Sequence, residues 1–249
     1  MKLSRSILAA ASALALAGVG FDASAQSFSE GFNDATLPAG WVATNLSTRN
    51  STGNPWATGI GITDADGTVV VDPFEGAGFA IANYTSIGSG SGTISNWLIT
   101  PEMTTISNGD TFSFYTTTTP DSAYPDRLQV LMSAAGAGTN VGTTVTSVGT
   151  FTTVLLDINP TLAAGGYPEG WTQYTVTISG LAAPVDGRLA FRYFVTSGGP
   201  SGANSNIIGL DNFSYTAAAA VPEPATWAML AGGFGLLCVR RLRNSSGRS

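Results

Sequence analysis

Hydrolysis and group transfer need a nucleophile or activated water, a proton carrier and a means of stabilising developing charge. This chain of 249 residues contains no histidine and one cysteine, Cys238. A Ser–His–Asp relay is therefore excluded, as is a zinc cluster. No Gly-x-Ser-x-Gly elbow and no phosphate-cradling glycine loop is present. Carboxylates remain, and a pair of them could serve a glycosidase, but nothing in the sequence singles out a pair. Asp64-Ala65-Asp66-Gly67 carries part of a calcium-loop pattern without the ligand run or the closing glutamate. The same residues suit an ordinary Asp-Gly turn. Aromatic faces offer binding rather than catalysis. Trp56, after Pro55, and Tyr124, within Ser122–Pro125, are expected to be exposed and free to contact a ligand such as a sugar ring.

Charge narrows the partners. The formal net charge is −6, yet six of the ten basic residues lie at the two ends. Between Gln26 and Thr216, fourteen acidic residues face four arginines, Arg49, Arg127, Arg188 and Arg192. A body this acidic is repelled by phosphate backbones, so nucleic acid is excluded as a partner. It suits either a soluble surface or the collection of a hard cation such as Ca²⁺. Cys238 lies outside this body, so no internal disulfide can brace it.

The elements that must position any site are strands. Phe112 and Phe114 alternate with Thr111 and Ser113; Leu128, Val130 and Met132 alternate with Arg127, Gln129 and Leu131. Tyr174, Val176 and Ile178 repeat the pattern, as do Leu189, Phe191, Tyr193 and Val195, opposite Arg188 and Arg192. Ile208 with Leu210, and Phe213 with Tyr215, close the series, while Phe79–Asn83 and Asn96–Ile99 are shorter candidates. Period two marks a sheet with one buried face. Turn residues at Ser107-Asn108-Gly109-Asp110 and Ser197-Gly198-Gly199-Pro200 separate them. The expectation is an all-β, jelly-roll-like β-sandwich over residues 26–216. Ala134–Gly149 reads as a long hairpin or loop, and residues 217–220 as a linker.

The ends are targeting segments. Residues 1–25 have Lys2 and Arg5, an uncharged run from Ile7 to Val19, and Ala23-Ser24-Ala25 before Gln26, the three parts of a signal peptide cut by signal peptidase. Near the other end, Val221-Pro222-Glu223-Pro224 precedes an uncharged run, Ala225–Val239, and then Arg240, Arg241 and Arg243. This 221–243 segment reads as a short transmembrane sorting helix, with the arginines as the cytoplasmic retention signal; residues 244–249 read as a disordered tail. Both ends hold the chain transiently in the inner membrane and place the body beyond it.

Those three C-terminal parts resemble a PEP-CTERM sorting signal, found on exported proteins of Gram-negative bacteria that make exopolysaccharide. The resemblance implies that an exosortase recognises Pro222, Glu223 and Pro224, and that the body ends at the cell surface, outer membrane or extracellular matrix. Asn83-Tyr84-Thr85 and three other stretches match a glycosylation sequon, which is usually inert in bacteria.

A second resemblance covers residues 27–215. Glu30-Gly31-Phe32 with Leu37-Pro38-Ala39-Gly40-Trp41 looks like the opening of a choice-of-anchor J domain, related to cleaved-adhesin and MAM-like jelly rolls. Ser95-Asn96-Trp97-Leu98-Ile99-Thr100-Pro101 resembles its central signature, and Ile208-Gly209-Leu210-Asp211-Asn212-Phe213 its last strand. The resemblance implies that Trp41 and Trp97 pack the core. It also implies a calcium ion held where Glu30 on the first strand meets Asp211 on the last, although Asn212 stands where a further acidic residue is common. The function implied is non-catalytic adhesion or structural binding, with an exopolysaccharide or surface protein as partner. A carbohydrate-binding module and a glycan hydrolase with paired carboxylates are the alternatives.

Overall fold

A computed structural model describes residues 26–49, 53–64 and 66–219. Fourteen strands make up nearly all of its regular structure. They are β1 (Phe28–Glu30), β2 (Val42–Asn45), β3 (Ala57–Gly59), β4 (Ile62–Thr63), β5 (Val69–Val71), β6 (Phe79–Asn83) and β7 (Gly92–Ile99). The rest are β8 (Met103–Ile106), β9 (Thr111–Thr117), β10 (Leu128–Ser133), β11 (Thr153–Ile158), β12 (Thr172–Thr177), β13 (Val185–Gly198) and β14 (Ile207–Thr216).

Two six-stranded sheets face each other. The first runs β12-β9-β14-β6-β3, with β1 also paired to β14; the second runs β11-β10-β13-β7-β2, with β8 also paired to β13. All pairings within the two sheets are antiparallel. The fold is thus an all-β two-sheet sandwich and not a closed barrel. Its core is filled by the inward members of each alternating set, among them Phe112, Phe114, Leu128, Val130, Phe191, Tyr193, Leu210 and Phe213. Phe191 meets Phe114 and Phe213 edge-on at centroid distances of 5.0 and 5.8 Å, tying the sheets together.

The second sheet departs from simple alternation. Every residue of β10 is buried, including Gln129 and Leu131 on the face expected to be wet. The reason is the β10–β11 connection. Its Val141 and Phe151 fold over the outer face and form a second apolar cluster with Trp97, Ile99, Leu131 and Ala190. Arg192, read as a solvent-facing residue, lies buried beneath this cover. Its guanidinium sits 4.8 Å from the Trp97 ring centroid and 3.8 Å from that of Phe194. It donates to Ser95 Oγ (3.0 Å), Gln129 Oε1 (3.3 Å) and the Val145 carbonyl (2.7 Å). Burial lowers its pKa to about 10.

One expectation is corrected. Among the described residues no helix is long and apolar enough to cross a membrane. Residues 221–243, assigned to a transmembrane sorting helix, lie outside the described residues. Length is the physical obstacle: fifteen uncharged residues rise about 22 Å as a helix, against a hydrocarbon core of about 30 Å. The signal peptide and the 244–249 tail also lie outside the described residues. Part of the linker is held against the sandwich, since Ala218 N donates to Asp110 Oδ1 at 2.8 Å.

Candidate functional site

Two places on the sandwich gather polar chemistry. The first is the seam between the first and last strands. Glu30 lies opposite Phe213 in the β1–β14 register, two residues from Asp211. The β14–β9 pairing shifts register between Asp211 and Ser214, and Asn212 there has a φ of 48°, which Asn tolerates better than most residues. Asp211 is fully buried. Its Oδ2 accepts from the main-chain N–H groups of Phe74 (3.0 Å) and Glu75 (3.2 Å), and its Oδ1 from that of Asn212 (2.7 Å). Asn212 Nδ2 donates to Glu75 Oε2 at 2.6 Å. Asn33 Oδ1 accepts from the N–H groups of Ala77 and Gly78, so residues 74–78 are strapped across the seam.

Burial pushes the Asp211 carboxyl up to about 6, against the pull of its three N–H donors and with help from the nearby Glu75 charge. The oxygen donors here are carboxylates and amides, the chemistry a hard cation such as Ca²⁺ prefers. Among the described residues, no three carboxylates converge on one point. Glu30 itself is partly committed, since its Oε1 accepts from Phe32 N at 2.8 Å.

The second place is one end of the sandwich. β14 runs antiparallel to both β6 and β9, with Ile207 opposite Asn83 and Gly209 opposite Thr117. The loops after β6 and β9 therefore meet the loop that joins β13 to β14. The β4–β5 hairpin closes the far side. Between them lies a cavity of about 690 Å³, and a second of about 290 Å³ shares Tyr84 and Asn206 with it. Together they make one groove. Tyr84 is 41 % exposed and Tyr124 50 % exposed; Asp64 and Asp121 stand on the hairpin and β9–β10 walls.

Asn206 is the fixed point of the floor. Its Nδ2 donates to Thr119 Oγ1 (2.6 Å) and Ser122 Oγ (3.0 Å), and its N–H donates to Asp126 Oδ1 (2.8 Å). Asp126 is fully buried and also accepts from Tyr193 Oη (2.5 Å) and Thr118 Oγ1 (2.8 Å). Burial pushes its carboxyl up to about 6 despite those donors. The groove is thereby pinned to the core of the second sheet through Tyr193 on β13. The β13–β14 loop can turn this tightly because of Gly202, where a Cβ would stand 2.3 Å from the Ser197 carbonyl oxygen.

Of the residues expected to touch a ligand, Tyr124 lies on the groove. Trp56 is a correction. It is only 1 % exposed, because its indole packs into the core and its Nε1–H donates to the Asn96 carbonyl at 3.0 Å. A preceding proline says nothing about burial across the sheets. Trp41 and Trp97 are both buried. Asp64 forms a turn, its Oδ1 accepting from Asp66 N (3.0 Å) and Thr68 N (2.9 Å). Tyr84, Asp121 and Asn206 had no marker in the sequence. Tyr84 falls in a sequon-like triplet, and only its exposure in a 3-10 turn, Tyr84–Ser86, distinguishes it. Pro222, Glu223, Pro224, Arg240, Arg241 and Arg243 lie outside the described residues.

Comparison with known proteins places this arrangement. The sequence model of the Cleaved Adhesin Domain matches residues 25–214. The chain belongs to that family. A PEP-CTERM protein-sorting motif matches residues 220–244. The fold is similar to the K1 cleaved adhesin domain of Lys-gingipain from Porphyromonas gingivalis W83, with 22% identity and a TM-score of 0.50, over 78% of this chain and 99% of that one. It is similar also to the K3 domain of the same protein, with 21% identity and a TM-score of 0.50, over 76% and 98%. No curated protein is similar enough to match. This cleaved-adhesin protein is therefore a non-catalytic, extracytoplasmic binding domain marked for exosortase-dependent sorting.

Proposed function

We propose that the sorted domain adheres to polysaccharide at the cell surface or in the surrounding matrix, through the groove at the β6, β9 and β13 loop end. One observation carries this reading. Two half-exposed tyrosine rings, Tyr84 and Tyr124, flank a polar floor set by Asn206. Flat aromatic faces beside a few fixed polar groups suit a sugar chain, whose rings offer apolar faces and hydroxyl edges. Both tyrosines are exposed despite a core rich in aromatics, so packing does not account for them. The test is a pull-down of the processed protein with the producing cell's own exopolysaccharide. Replacing Tyr84 and Tyr124 together with alanine lowers retention by about tenfold if each ring contributes about 0.7 kcal/mol. Replacement of the distant, exposed Val154 is the control. Unchanged retention in the double variant would overturn the reading.

Sorting supplies the place of action. Signal peptidase cuts before Gln26, whose side-chain oxygen accepts from Thr104 N at 2.9 Å, so the packed domain reaches the proposed new terminus. Exosortase acts at Pro222, Glu223 and Pro224. A calcium ion at the Glu30–Asp211 seam would tie β1 to β14 in a domain without disulfides. The register supports that role, since it sets Glu30 opposite Phe213, two residues from the buried Asp211.

A further inference from the structure

The groove has a charge character that its adhesive role alone does not require. Its two carboxylates, Asp64 and Asp121, stand on different walls, one from the β4–β5 hairpin and one from the β9–β10 loop. Among the described lining residues there is no lysine or arginine. Three of the body's four arginines are engaged elsewhere. Arg127 pairs with Asp157 at 2.6 Å, Arg188 donates to the carbonyls of Gly40 and Thr100, and Arg192 is buried. The fourth, Arg49, reaches the Gly90 turn, which packs on Gly199 of the smaller cavity; neither Arg49 nor that turn lines the larger cavity that holds Asp64 and Asp121.

Both carboxylates are exposed and presented by the backbone. Asp64 is oriented by the two N–H groups its Oδ1 accepts. Asp121 sits at a φ of 53°, and its N–H donates to Glu169 Oε2 at 3.1 Å. Among the described residues no hydrogen bond engages its side chain. A uronic acid or a sulfated sugar entering here meets like charge on two sides. A sugar ammonium meets two acceptors, with Tyr84 and Tyr124 as faces on which a ring and its cation can rest.

We propose that this groove selects glycans bearing free amino groups, glucosamine-type sugars with exposed ammonium, and that Asp64 and Asp121 accept those ammonium protons. The proposal rests on the groove being the adhesive surface. Exposed ion pairs are modest, so two of them together favour the amine over its acetylated counterpart by about tenfold. The preference shrinks as salt screens the pairs.

The test titrates the processed protein with glucosamine hexamers, N-acetylglucosamine hexamers and galacturonate hexamers. The proposal expects the glucosamine chain to bind about tenfold tighter than the acetylated one, and the galacturonate chain weakest. Asp64→Asn with Asp121→Asn should erase the preference, weakening the glucosamine chain about tenfold relative to the acetylated one. Asparagine keeps the oxygen that orients the Asp64 turn and tolerates the left-handed backbone at position 121. Equal affinity for amine and acetylated chains overturns the proposal and leaves the adhesive groove standing. A preference that survives the double substitution also overturns it, because the attraction then comes from the acidic surface at large. No binding of any hexamer removes the groove reading itself.

Discussion

Asp126 offers the sharpest prediction, because its environment separates charge from hydrogen bonding. Its folded-state pKa of about 6 stands above the ordinary 3.8. Between those values the folded protein keeps a proton that the unfolded chain has released. The associated stability is fully present below 3.8 and is lost as pH rises through 6. Two units correspond to about 3 kcal/mol. Asp126→Asn removes the charge and keeps the contacts. Its oxygen, in the place of Oδ1, accepts from Tyr193 Oη and Asn206 N, while its new N–H₂ donates to Thr118 Oγ1. That hydroxyl retains the Ile207 carbonyl, 2.8 Å away, as its own acceptor. Asp126→Ala instead removes the acceptor of both Asn206 N and Tyr193 Oη, leaving the phenol its Ser205 contact alone, at about 1–3 kcal/mol for each lost acceptor. Urea unfolding across roughly pH 4 to 7 measures all three proteins. The asparagine variant should match the wild type near pH 4 and exceed it by about 3 kcal/mol near pH 7. The alanine variant should be the least stable near pH 4, and its gap to the wild type should narrow by about 3 kcal/mol near pH 7. Other titrating groups, Asp211 among them, cancel in the comparison. A difference between wild type and Asp126→Asn that stays flat with pH would refute the reasoning, as would an asparagine variant less stable than the alanine one.

Phe151→Ala should destabilise the domain by about 3–5 kcal/mol in the same assay, and should red-shift tryptophan fluorescence as the cover over Trp97 opens. Saturating calcium at about a hundred times its dissociation constant should add roughly 2.7 kcal/mol of stability. Calorimetry with and without chelator checks this, and Asp211→Asn should abolish the difference; an unchanged melting temperature in the wild type argues against the ion. Glu223→Ala should leave the chain unprocessed, read as a larger precursor on a gel of cell fractions. Normal release of that variant contradicts exosortase recognition at Pro222-Glu223-Pro224.

Fold class and marking for extracytoplasmic sorting were legible along the chain alone. Alternation at Phe112/Phe114, Leu128/Val130 and Leu189/Phe191 is a local, period-two property, and it specifies strands wherever one face is to be buried. The sorting parts at the C-terminus are contiguous and so can be read directly. Tertiary structure decided what each polar or aromatic residue does. Trp56 is enclosed by β7 through Asn96, forty positions away. Arg192 and Gln129 are buried only because the β10–β11 connection folds back over its own sheet. Asp126 and Asp211 look like any other acidic residue in the chain, yet long-range pairing removes them from water and shifts their titration. The groove joins residues from the β4–β5 hairpin to the start of β14. Its existence depends on antiparallel register between distant strands, and register is a cooperative outcome of packing that no local window of sequence contains.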